Sequence, residues 1–239
     1  MKATLKASLR VTAGNGLIAA LPRRDRLHLI EGCEDVALTL SETILEPDGR
    51  VCHVHFPTSG FISLLTPVDG AARLEVGLVG EEGMVGTPLV LGVDLSPLYA
   101  IVQGAGRSLR MAAVPFRREL ARSAALRTLL DRYLFVRMAQ LAQAAGCTRF
   151  HLVEARMARW LLMTQDRAGT SAFHITHEFL ASMLGVRRAG VTQAARALQA
   201  AGLIRYRRGE LVVIDRAGLE AASCTCYCAD LSAYRRTLG

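Results

Sequence analysis

The sequence predicts an α+β chain in three parts: an N-terminal antiparallel β-roll of the cupin or jelly-roll kind, a long helix, and a C-terminal winged helix-turn-helix. Three observations predict it. Between Val36 and Met111, short apolar or alternating runs are separated by turn residues, the pattern of an antiparallel barrel or roll. From Val114 the apolar period lengthens to that of a helix. Between Thr176 and Leu203, two short helical patterns meet at Gly185 and lead into a basic hairpin. The three parts are placed at 1–114, 115–146 and 147–239.

Composition sets the frame. With 239 residues, 51% of them hydrophobic, the chain can build a packed core in two domains or in one. No apolar run reaches membrane-spanning length, so no membrane partner is expected. Met1–Arg10 has basic residues but lacks the apolar stretch of a secretory signal, and a cytoplasmic location is expected. The net charge of +8 is uneven: residues 147–239 hold 13 arginines against 7 acids. A positive excess concentrated in the smaller part suits a polyanionic partner.

Asn15 to Leu29 reads as a short helical start, with Leu17, Ile18 and Leu21 interrupted by Pro22 and resumed by Leu27 and Ile30. Candidate strands follow at Val36–Leu40, Thr43–Leu45, Val51–Phe56, Phe61–Leu65, Arg73–Leu78, Tyr99–Val102 and Ser108–Met111. Pro47–Gly49, Pro57–Gly60, Val68–Gly70 and Gly104–Gly106 punctuate them. His53 and His55 share a strand face; two histidines without an acidic or Cys partner are too few for a metal, and a structural role is expected.

In the helical part, Leu130, Leu134, Met138, Leu141 and Ala145 recur at steps of four, four, three and four. Such a stripe can cover the roll or form a two-helix dimer seam. Gly146 is expected to end this helix. Leu152 to Asp166 reads as another, with Val153, Met157, Trp160 and Leu161 on one face, and Phe173-His174-Ile175 as a short extended piece.

Thr176 is a good N-cap for the first helix of the next unit, whose stripe is Phe179, Leu180, Met183 and Leu184. The second helix buries Val191, Ala194, Ala195 and Leu198, and presents Arg188, Thr192, Gln193, Arg196 and Gln199. A small residue at Ala181, a glycine at the turn and a branched residue at Val191 are what a helix-turn-helix needs where its helices touch. An ordinary helical hairpin shares the alanine and glycine; Arg187-Arg188 and the basic hairpin set this one apart. That hairpin is Leu203–Arg207 and Glu210–Ile214 about an Arg208-Gly209 turn, and Arg205, Arg207 and Arg208 suit phosphate contacts. His174 and His177 flank Thr176 and are expected to pack or to touch phosphate.

Six cysteines are present, and Cys224-Thr225-Cys226-Tyr227-Cys228 is the unusual cluster. Three close thiols could bind metal or sense oxidation, but the spacing matches neither a zinc Cys-x-x-Cys pair nor an iron–sulfur run, so no metal site is expected. No nucleophile–base pair, metal triad or phosphate-binding glycine loop stands out, which argues against an enzyme.

A roll, a long helix and a winged helix-turn-helix, in that order, resemble the Crp/Fnr family of bacterial transcription regulators over nearly the whole chain. His55-Phe56-Pro57-Thr58-Ser59-Gly60-Phe61-Ile62-Ser63 resembles its Phe-Pro-x-x-Gly strand–turn–strand, and Ile175 to Ile204 its DNA-reading unit. The resemblance implies a homodimer joined along 115–146. It also implies a palindromic double-stranded DNA site read by two helices one DNA turn (roughly 34 Å) apart. RNA polymerase is a further partner that the resemblance allows. The family's recognition helix often starts Ser-Arg-Glu-Thr-Val; here Arg187-Arg188-Ala189-Gly190-Val191 stands in its place. Arg188 falls on the base-reading arginine, while Ala189 replaces the acidic reader, implying a different target.

The implied set of DNA contacts is Thr176, Arg187, Arg188, Thr192, Gln193, Arg196, Arg205, Arg207 and Arg208. The family's nucleotide pocket is matched in part by Gly80-Glu81-Glu82-Gly83-Met84. Its phosphate-binding arginine is missing: Ser96-Pro97-Leu98-Tyr99 stands there, and the next arginine is Arg107. Cyclic AMP is therefore not expected to bind in the family's way, and the effector or cofactor is left unnamed. The alternative function is a sensor of a cyclic nucleotide or other small ligand whose DNA binding is secondary.

Overall fold

The structure is a computed structural model that describes residues 14–69 and 73–239; Met1–Arg10 and Gly70 lie outside them. Two compact units emerge. Of the described residues, one gathers those up to Leu64 with Leu78–Arg137, the other those from Leu65 to Gly77 with Met138–Thr237. The division between them falls at Arg137–Met138.

The first unit starts with α1 (Gly16–Ala20) and α2 (Arg23–Glu31). Asn15 caps α1 by accepting from the Ile18 N–H. The strands are β1 (Glu34–Leu38), β2 (Thr43–Leu45), β3 (His53–Pro67), β4 (Arg73–Val79) and β5 (Tyr99–Ala112), of which the end of β3 and Arg73–Gly77 of β4 are counted with the second unit. They form one sheet in the order β1-β5-β3-β4, with β2 also on β5.

Two expected turns do not exist. Pro57–Gly60 lies inside β3, and Gly104–Gly106 inside β5. These glycines serve close approach between strands instead: a Cβ on Gly106 would stand 2.3 Å from the Ser59 carbonyl oxygen. The Ser59 hydroxyl accepts from the Arg107 N–H at 3.0 Å across the same crossing. Four expected short strands are thereby merged into two long ones.

The helix expected over 115–146 is two helices, α3 (Ala113–Arg122) and α4 (Ala124–Phe150). Ser123 separates them in an extended conformation, and its hydroxyl accepts from the Leu126 N–H at 3.1 Å, an N-cap. Gly146 does not end α4, which runs four residues further. The first half of α4 closes the roll: Leu126, Leu130 and Tyr133 join Val54, Phe56, Ile62, Val79, Val102 and Met111 in one core.

The second unit contains α5 (Val153–Ala168), β6 (Ala172–His174), α6 (His177–Leu184), α7 (Arg188–Ala200), β7 (Ile204–Arg207), β8 (Glu210–Val213), α8 (Arg216–Ala222) and α9 (Cys226–Leu238). Its sheet runs β6-β8-β7, all antiparallel. Met157, Leu161, Leu180, Val191, Leu198, Leu211 and Leu219 are among its buried residues. The buried Arg156 guanidinium donates to the Leu184 carbonyl at the end of α6, placing a cation against the negative end of that helix. Arg216 bonds both Asp166 and Tyr227 and so ties α5, α8 and α9 together. Among the described residues no helix is long and apolar enough to cross a membrane.

Candidate nucleic-acid interface

The α6–α7 pair forms as its sequence requires. The Thr176 hydroxyl accepts from the Phe179 N–H at 3.1 Å. Gly185 ends α6 in the left-handed region (φ 61), which a side chain would resist, and the Val186 N–H returns to the Ala181 carbonyl at 3.0 Å. Val191, Ala194, Ala195 and Leu198 are the buried face of α7. On the opposite face Arg188, Gln193 and Arg196 are exposed, with Arg187 exposed just before the helix.

Thr192 departs from the expectation. It is half-buried, its hydroxyl donates to the Arg188 carbonyl at 3.1 Å, and its oxygen lies 3.1 Å from His177 Nδ1. Both partners belong to the fold, so Thr192 joins the two helices from within. Gln199 is likewise engaged, its Oε1 accepting from the Tyr206 N–H at 2.8 Å. The Tyr206 hydroxyl donates to the Ile175 carbonyl, and its ring meets His177 edge-on at 4.8 Å. Burial and the nearby Arg188 charge lower the His177 pKa. His174 pairs with Glu210 at 2.6 Å across the β6–β8 pair. The two histidines therefore brace the wing and the helix pair.

β7 and β8 form the wing. At its tip Arg208 (φ 53) and Gly209 (φ 86) are both left-handed, the backbone of a two-residue hairpin turn of the primed type. Arg205, Arg207 and Arg208 are exposed and form no ion pair among the described residues. Arg188, from the first turn of α7, and Arg208, from the wing, line one open cleft of about 440 Å³ with Thr176, His177 and Tyr206.

Residues 155–222 match the family model described as the Crp-like helix-turn-helix domain. Known structures align over most of the chain. The c-di-GMP responsive global regulator CLP of Xanthomonas campestris aligns at 16% identity over 80% of this chain and 99% of that one, with a TM-score of 0.67. FixK2 of Bradyrhizobium japonicum aligns at 13% identity over 80% and 98%, with a TM-score of 0.67. A Crp/Fnr-family transcriptional regulator of Thermus thermophilus aligns at 22% identity over 80% and 98%, with a TM-score of 0.66. The chain has the Crp/Fnr fold and carries a Crp-like helix-turn-helix domain. No curated protein sequence matches it.

Within this Crp/Fnr fold, the segment expected to line a ligand pocket is held by the chain's own atoms. Gly80, Gly83 and Met84 are buried, Glu82 is half-buried and Glu81 is exposed. The Asn15 side-chain amide donates to the Gly83 and Pro57 carbonyls, both at 2.9 Å. The Tyr133 hydroxyl accepts from the Met84 N–H at 3.2 Å, and a Cβ on Gly83 would stand 2.3 Å from it. Arg107 is paired with Asp35 at 2.8 Å.

The expected seam splits. Leu130 is 0% exposed and fills the roll core, so it has no surface for a second copy. Leu134 is half-buried against the same core, and Ala145 is exposed. Met138 and Leu141 stay open at 68% and 40%, joined by Phe135 at 61%, which the four-three spacing had not included. Cys228 is exposed, whereas Cys224 and Cys226 are buried and meet partners far away in sequence.

Proposed function

We propose that this chain is a dimeric, sequence-specific DNA-binding transcription regulator. The observation that carries the reading is the shared cleft of Arg188 and Arg208, which sets a major-groove helix beside a basic wing. In this reading the start of α7 reads bases. Arg188 offers its fork to guanine O6 and N7, Gln193 reaches adenine, and Arg187 and Arg196 take a base or phosphate. Thr176 ends its loop beside the same cleft, and Arg205, Arg207 and Arg208 clamp the phosphate backbone. A second copy meets the chain along Phe135, Met138 and Leu141 on α4, placing two recognition helices on a palindromic site.

The wing is tested by the salt dependence of binding to a duplex of arbitrary sequence. Each phosphate contact contributes about 0.9 to the slope of log affinity against log salt. Replacing Arg205, Arg207 and Arg208 together with alanine is expected to flatten that slope by about 2–3 for each protomer in contact. An unchanged slope would remove the wing from the interface.

A further inference from the structure

Two pairs of residues far apart in sequence converge inside the second unit. Cys147 lies in the last turn of α4 and His151 four residues later, where the helical path continues: the His151 N–H bonds to the Cys147 carbonyl at 3.2 Å. That spacing puts both side chains on one face. Cys224 closes the loop before α9, and Cys226 is the first residue of α9. The Cys147 and Cys224 sulfurs are 3.5 Å apart, and Cys226 Sγ is 3.4 Å from His151 Nδ1. One ligand atom from each of the four residues lies within 4.8 Å of all the others. The three thiols are buried and none forms a disulfide.

From this geometry we infer that Cys147, His151, Cys224 and Cys226 form a closed tetrahedral zinc site that fastens α9 to the end of α4. Zinc bonds of about 2.3 Å to sulfur and about 2.0 Å to nitrogen put sulfurs about 3.8 Å apart, and sulfur and nitrogen about 3.5 Å apart, in a tetrahedron. The two separations given above are close to those edges, and none of the others exceeds 4.8 Å, so little movement is needed. Three cysteines and one histidine make a closed structural set without an open position, which assigns the ion a structural role. A multi-iron cluster would hold its cysteines farther apart, because each ligand sits on a different iron.

Two side chains donate towards the cluster. Three thiolates, a neutral imidazole and Zn²⁺ leave one negative charge. Arg159 donates towards it, with Nη1 3.9 Å from Cys147 Sγ, while its Nη2 is paired with Asp230 on α9. The Gln143 side-chain amide donates to Cys226 Sγ at 2.9 Å. Donors aimed at ligand sulfurs orient them and lower their charge, the usual support around a metal site. The two ligand pairs bracket the helix-turn-helix and wing in sequence, so the ion closes a loop that contains the whole interface.

The test is the metal content of the full chain, purified without chelator or polyhistidine tag and measured by plasma mass spectrometry. One zinc per chain is expected. Cobalt added to the stripped protein should bind in the same ratio and give the intense visible bands of tetrahedral thiolate coordination. Cys226→Ser and His151→Ala should lose tight binding, whereas Cys228→Ser and Cys52→Ser, both exposed in this structure, should keep it. Should a variant fail to fold, the native protein decides: zinc should protect three thiols from alkylation, and chelation should release them. A native chain that takes up neither zinc nor cobalt, or one holding a Cys147–Cys224 disulfide or an iron–sulfur chromophore, would overturn the assignment. So would zinc retained undiminished by Cys226→Ser.

Discussion

Arg188 and Thr192 stand one turn apart on α7 and have different prospects. Arg188 is exposed over the cleft, whereas the Thr192 hydroxyl is bound to the Arg188 carbonyl and His177. Arg188→Ala is expected to weaken binding to the preferred sequence by about 1–3 kcal/mol and to relax one base position. Thr192→Val should leave the preferred sequence unchanged and cost about 1 kcal/mol of stability through its lost hydrogen bonds. Competition binding against single-base variants, with thermal melts, separates the two.

His55 supplies a pH test of the roll. Burial, then the Arg110 and His53 charges, push its pKa down to about 4 from 6.5. The unfolded chain then binds the proton more readily than the folded one. This contribution is complete above pH 6.5 and is lost as the pH falls towards 4. The full loss is worth about 3 kcal/mol. Unfolding measured between those limits should steepen with acid in the native protein and less so in His55→Leu. The exposed arginines were legible in the sequence because solvation follows helical period. Thr192 was not, since its partner lies on the preceding helix.

The wing turn trades stability for position. Arg208 holds a left-handed backbone that arginine resists and asparagine tolerates. Arg208→Asn is therefore expected to stabilise the chain by up to about 1 kcal/mol while weakening binding to all DNA sequences alike. A variant that is less stable, or that binds as tightly as before, would contradict this. α6, the turn and α7 were legible because caps, glycine and apolar period all act within a few residues. β3 and β5 were less so. Pro57–Gly60 and Gly104–Gly106 carry turn chemistry, yet serve a crossing of two strands that only the tertiary fold reveals. Ser123 was a readable cap that the apolar period masked, and the helix continues through Gly146 to Phe150.

Leu130 and Met138 share an apolar stripe in the sequence, but one is buried in the roll and the other is 68% exposed. Periodicity marks an apolar face without saying which neighbour covers it. The open part, Phe135, Met138 and Leu141, is the surface assigned to the second copy. Met138→Glu is expected to shift the protein towards monomer in sedimentation while leaving its melting temperature within a few degrees. It should also lower affinity for a full palindrome far more than for a half-site. The cysteines carry the same lesson further. Cys224 and Cys226 find Cys147 and His151 at separations of 77 and 75 residues, beyond any local spacing rule.

The proposed function rests on α7 and the wing of a dimer reading DNA. Selection from a random duplex pool tests it most directly, with reduced, metal-replete protein at fixed moderate salt and no added ligand. An enriched palindrome with half-sites about one helical turn apart is expected, lost or relaxed at one position by Arg188→Ala. No enriched sequence, with native and Arg188→Ala proteins recovering indistinguishable pools, would contradict it.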